Sequence, residues 1–65
     1  MKLKELNGLL EDNCIAIFDK SDGWQRNIYE NNIEEMFNKY GNRDILSIGE
    51  FLEYCEPRGT KIILE

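Results

Sequence analysis

The sequence predicts a small α+β domain, and three observations carry that prediction. A run of β-forming residues, Cys14-Ile15-Ala16-Ile17-Phe18, leads into an Asp22-Gly23 turn. Apolar residues recur at helical spacing both before and after that unit, and a β-branched segment closes the chain. Sixty-five residues allow one domain, so residues 1–65 are assigned to a single small α+β unit with little core in reserve.

Each element has its own grounds. Leu3, Leu6, Leu9 and Leu10 share one side of a helix over residues 2–10, with Lys2, Lys4, Glu5 and Asn7 on the other. Gly8 weakens that helix, and Glu11-Asp12-Asn13 ends it. Residues 14–19 form a buried strand. Lys20-Ser21-Asp22-Gly23 supplies turn chemistry, since Asp-Gly gives the left-handed backbone a hairpin needs. Residues 24–30 return as a strand, with Trp24, Arg26 and Ile28 on one face and Gln25, Asn27 and Tyr29 on the other.

Ile33, Met36, Phe37 and Tyr40 then fall at i, i+3, i+4 and i+7 on one face of a second helix. Asn32 and Glu35 have capping-box spacing, and Gly41 supplies a C-terminal stop. Residues 44–54 admit two readings. Ile45-Leu46-Ser47-Ile48 suits a strand that continues past a bulge at Gly49. Alternatively, Ser47 and Glu50 form a capping box for a helix whose face is Ile48, Phe51, Leu52 and Cys55. The strand is the preferred reading. Pro57-Arg58-Gly59 turns the chain, and residues 60–64 form the last strand.

The order helix–strand–strand–helix–strand–strand implies a two-layer sandwich. Both helices would lie on one face of a mostly antiparallel four-stranded sheet. The expected core is Leu3, Leu6, Leu10, Ile15, Ile17, Ile28, Ile33, Phe37, Leu46, Ile48 and Ile62, with Tyr40 closing its edge.

Composition mainly excludes functions. The chain has no histidine, and so lacks the side chain best suited to proton transfer near neutrality and the commonest transition-metal ligand. Thirteen Asp and Glu against eight Lys and Arg leave a net charge of −5. That balance disfavours direct binding to nucleic acid, which draws its affinity from basic contacts to phosphate. The acids are unevenly placed: residues 28–38 hold Glu30, Glu34 and Glu35 with no base, and residues 44–56 hold Asp44, Glu50, Glu53 and Glu56 likewise. Such a surface suits a basic protein partner.

Cys14 and Cys55 fit no zinc spacing and are expected as ordinary reduced thiols. A Cys14–Cys55 bridge is the alternative, and it would require an oxidising compartment. Neither a signal-length apolar run nor a membrane span is present, so a cytoplasmic protein with no membrane association is expected.

No constellation of catalytic chemistry survives inspection. Asp19 and Glu30 stand at the first and twelfth positions of a calcium-loop spacing. Glycine falls fifth and not sixth, however, so a hairpin turn with solvated carboxylates is the better reading. Glu34 and Glu35 are adjacent on a helix and diverge by about 100°. Ser21, Ser47 and both cysteines lack a base partner. We therefore assign no catalytic, cofactor-binding or metal-ligating residue and expect a non-enzyme without cofactors.

What remains is surface. Trp24 and Tyr29 lie on opposite strand faces, and a two-layer fold covers only one of them, which leaves a partly exposed aromatic. The competing reading is that Trp24 caps the core at the sheet edge. Trp24, Tyr29, Glu50, Glu53 and Glu56 are the candidate partner-binding residues.

Leu3-Lys4-Glu5-Leu6 opening a helix, Ile15-Ala16-Ile17-Phe18-Asp19 entering a hairpin, and the ending Ile62-Ile63-Leu64-Glu65 give the chain a recognisable style. Asn, Ile and Lys, twenty residues together, add the signature of an AT-rich genome. In these features it resembles the short acidic accessory proteins of bacterial viruses and prophages. The resemblance implies binding to a host protein, in some cases blocking a defence system such as a CRISPR nuclease. The expected function is thus a non-catalytic protein-binding module, with a DNA mimic as its sharper form. The alternative is a small structural subunit or homodimer assembling through open sheet edges.

Overall fold

A computed structural model describes residues 1–10, 14–52 and 59–65. Its centre is the expected hairpin. β1 (Cys14–Asp19) and β2 (Gln25–Glu30) pair antiparallel, from Cys14 against Glu30 to Asp19 against Gln25. α1 (Ile33–Tyr40) follows, and then β3 (Ile45–Phe51) pairs antiparallel with β4 (Gly59–Leu64). The strand reading of this stretch holds through Phe51. The bulge falls between Ile45 and Ser47, earlier than the expected Gly49.

The four strands lie in the order β2-β1-β4-β3, and β1 runs parallel to β4, with Ile15 opposite Thr60 and Asp19 opposite Leu64. The parallel pairing at its centre makes the sheet mixed, a departure from the expected antiparallel arrangement. The cause is burial. A central strand is covered on both faces, and β1 buries five of its six residues. With β2 on one flank, β4 takes the other, and it is the more buried strand of the β3–β4 pair.

The fold is α+β, but it carries one α-helix among the described residues, not two. In place of the first helix stands a single 3-10 turn, Leu3–Leu6. It buries Leu3 and Leu6, while Leu9 is left 71% exposed and Gly8 takes a left-handed φ of +87°. The expected end of that helix at Glu11-Asp12-Asn13 lies outside the described residues, as does the turn at Pro57-Arg58.

One layer packs Leu3, Leu6, Met36 and Tyr40 onto Ile15, Ile17, Tyr29, Ile62 and Leu64, with Leu10, Ile33, Phe37 and Ile45 half-buried around them. The other face of the sheet carries Cys14, Ala16 and Phe51, flanked by Phe18 and Ile28. Ile28 is thus placed in this second cluster. Leu46 and Ile48 are not core at all, being 47% and 49% exposed on the edge strand. Cys14 is disulfide-bonded, which overturns the expected reduced thiol and removes one ground for a cytoplasmic location. Cys55 lies outside the described residues. Among them, no helix is long and apolar enough to cross a membrane.

Gly41 ends α1 differently from a left-handed cap. Its φ is −55°, and its N–H donates to the Phe37 carbonyl at 2.9 Å. Its own carbonyl accepts from the Lys4 N–H at 2.9 Å, which ties the 3-10 turn to the helix. A Cβ at this position would run into the Phe37 carbonyl and sit in contact with the Lys4 Cβ. Gly41→Ala, a change that usually favours helix, is therefore expected to destabilise the fold by about 1–3 kcal/mol. A urea unfolding curve would measure this, and unchanged stability would show that the contact relaxes freely. The capping box is also weaker than its spacing suggests. Asn32 makes no side-chain cap, and its amide reaches the Glu35 carboxylate only at 3.5 Å.

Candidate partner-binding site

The corner between β1 and β2 is built around Asp19. The last residue of β1, it points to the same face as Ile15 and Ile17 and is only 7% exposed. A carboxylate in that position needs a counter-charge. Arg43, on the segment joining α1 to β3, supplies one with two donors: Nη2 to Oδ1 at 2.8 Å and Nη1 to Oδ2 at 3.0 Å. Ser21 adds its N–H at 3.1 Å and its hydroxyl at 2.7 Å to the same Oδ1. Arg43 Nη2 also reaches the Ser21 hydroxyl at 2.8 Å and the Glu65 carbonyl at 2.9 Å. Donation by Arg43 and then by Ser21 holds the Asp19 carboxyl well below the usual carboxylate range, against the opposing effect of burial. The turn carboxylates were expected to be solvated. Asp19 is instead an interior clamp, and it is committed to a guanidinium rather than open to a cation.

That clamp sets the backbone that follows. Lys20–Asp22 close a 3-10 turn capped by the Asp19 side chain, and the Trp24 N–H donates to the Asp19 carbonyl at 2.9 Å. Gly23 takes φ +67° and Trp24 φ +64°. Glycine meets the left-handed region without strain, whereas a bulky residue there is uncommon and carries a cost. Trp24 nevertheless stays 53% exposed, amid a stretch from Lys20 to Arg26 that is exposed throughout.

The five candidate residues divide. Trp24 is the exposed aromatic at this corner. Tyr29 belongs to the core, edge-on to Tyr40 with ring centroids 6.3 Å apart, and burial pushes its phenol up to about 12. Tyr40 in turn accepts from the Asn27 amide at 3.0 Å. Glu50 is exposed on β3. Glu53 and Glu56 lie outside the described residues.

Sequence reasoning missed Arg43 and Asp19 as partners, since twenty-four residues separate them. A signal existed for Asp19 alone: it continues the i, i+2, i+4 series of Ile15 and Ile17 onto the buried face. Among the described residues, no three carboxylates or thiols converge closely enough to hold a metal ion. No protein-family model, curated protein or solved structure matches the chain.

Proposed function

We propose that this chain is a non-catalytic protein-binding module that engages a partner with a basic surface through Trp24 and its acidic groups. The observation that carries the reading is Trp24 itself, a large aromatic held half-exposed in a left-handed conformation. Neither the exposure nor the strained backbone helps an isolated fold. Tryptophan is the residue most enriched at binding hot spots, and a rigid corner presents it with little entropy left to lose. Glu30, Glu34, Glu35, Asp44 and Glu50 are all exposed, and a net charge of −5 steers basic partners toward the molecule. In its most specific form the module is an accessory protein of a bacterial virus or prophage that acts on a host protein.

The test is capture from a bacterial lysate with a C-terminally tagged chain, followed by mass spectrometry. One stoichiometric partner is expected, lost when Glu50, Glu53 and Glu56 are all changed to Lys while circular dichroism stays unchanged. Capture that survives the triple variant removes the acidic surface from the proposal. Capture that also survives Trp24→Asn overturns the proposal altogether.

A further inference from the structure

We propose that the outer edge of β3 is a docking site for an extended peptide alternating apolar and basic residues, added as a fifth strand. This inference rests on the binding-module reading and names the form in which the partner presents itself. β3 is the last strand of the sheet, so one side of its backbone faces away from β4. Open edges are templates for pairing, and proteins blunt them with charge. The opposite edge strand, β2, carries Arg26 and Glu30 in six residues. β3 carries only Glu50 in seven, together with the exposed Leu46 and Ile48.

The chain already shows what this edge accepts. Lys2 forms an antiparallel bridge to Asp44 on the side away from β4. The Ile45 N–H donates to the Met1 carbonyl at 2.8 Å, and the Leu3 N–H donates to the Arg43 carbonyl at 3.0 Å. Lys2 Nζ then lies 3.3 Å from Asp44 Oδ1. Met1-Lys2-Leu3 is thus an apolar–basic–apolar segment docked by its backbone, anchored by the buried Leu3 and joined to Asp44 by an exposed ion pair. Its Met1 lies opposite Ile45. Residues 46–49 continue the same edge, and among the described residues no strand or bridge lies against them on that side.

Charge decides between occupants. A second copy pairing by a two-fold axis would set Leu46 against Ile48 only if the axis passes at Ser47. That register puts Glu50 over Asp44, where Lys2 already lies. Centring on Ile48 instead sets Leu46 against Glu50 at both ends, and two chains of net charge −5 repel in either case. A segment alternating apolar and basic residues meets neither obstacle. It repeats, further along the edge, the pattern of Met1-Lys2-Leu3.

The probe is the end-blocked heptapeptide Lys-Val-Lys-Val-Lys-Val-Lys, titrated into the full chain without an N-terminal tag and followed by amide NMR and hydrogen exchange. The expected result is shifted resonances and slowed exchange within residues 46–49. Ile48→Lys, a change at an exposed side chain, should weaken binding at least about tenfold with unchanged circular dichroism. Glu-Val and Lys-Pro peptides of the same length should leave these amides unmoved. Three results each overturn the site: an equal response to the Lys-Pro peptide, shifts confined to the Trp24 corner, or no response to Lys-Val at millimolar concentration. Protection of residues 46–49 that rises with protein concentration alone would assign the edge to a second copy and overturn the peptide. Partner capture that depends on Trp24 but is indifferent to Ile48→Lys would sink this site while leaving the binding-module reading intact.

Discussion

Replacing Arg43 with Met is expected to lower stability by about 2–4 kcal/mol, because it strands a buried carboxylate. Asp19 is 7% exposed and takes two of its hydrogen bonds from Arg43. Removing one member of a fully buried pair costs about 3–5 kcal/mol, and the partial exposure of the Arg43 side chain puts this case toward the lower end. The same change releases the Ser21 hydroxyl and the Glu65 carbonyl, so the hairpin corner and the chain terminus loosen together. A chain of this length has about 3–10 kcal/mol of net stability, and thermal unfolding should move down by roughly 10–25 °C. Asp19→Asn combined with Arg43→Met should cost less than Arg43→Met alone, because no charge is left unpaired.

The pH dependence has a definite sign. Asp19 is held below its unfolded-state value, so the pair's contribution is present in full above the usual carboxylate range. It is lost as pH falls through that range toward the folded-state value. The gap between wild type and Arg43→Met should therefore be flat near neutral pH and narrow as pH falls, beginning where the stranded Asp19 of the variant takes up its proton. A gap that is constant across the whole range would mean that packing by the arginine stem, not charge, is what Arg43 contributes.

The Asp19 clamp also shows where sequence reasoning stops. β1, β2 and α1 are legible because each is written in a local pattern: an apolar run ending at Asp-Gly, a return strand, and four apolar residues on one helical face. β4 is legible from its β-branched run. The parallel pairing of β1 with β4 is not written locally, since it depends on which strand the β3–β4 hairpin offers to the centre. Leu46 and Ile48 read as core because side-chain type does not reveal that a strand sits at an edge. Leu3, Leu6, Leu9 and Leu10 read as a helix face, but a first turn so short is costly to nucleate. Its residues gain more from bonding to Gly41, Arg43 and Ile45, contacts some forty residues away. Trp24 was legible as a candidate. The Asp19–Arg43 pair that supports its corner was not.

Trp24→Asn should separate binding from stability. Asparagine enters the left-handed region more readily than tryptophan, so the substitution relieves backbone strain of about 1 kcal/mol. Against that gain stands the loss of the buried half of the indole, on the order of 100 Å2 and worth about 2–3 kcal/mol at roughly 25 cal/mol per Å2. The strain relief offsets only part of that loss, so urea unfolding should report a net destabilisation of about 1–2 kcal/mol with the domain still folded. Binding should not be spared. A tryptophan anchor at the centre of an interface is worth about 2–4 kcal/mol, so affinity for a captured partner should fall by roughly 30- to 1,000-fold in calorimetry. A variant that binds normally would place the contact elsewhere on the molecule. One that unfolds would instead identify Trp24 as a cap on the sheet edge, the competing reading. Gly23→Ala serves as the control, because it strains the same corner at φ +67° with no atom within 4 Å of the new methyl group. It should cost about 1 kcal/mol of stability while leaving the indole in place. Lost binding in Trp24→Asn with near-normal binding in Gly23→Ala would tie recognition to the ring itself rather than to the order of the turn that carries it.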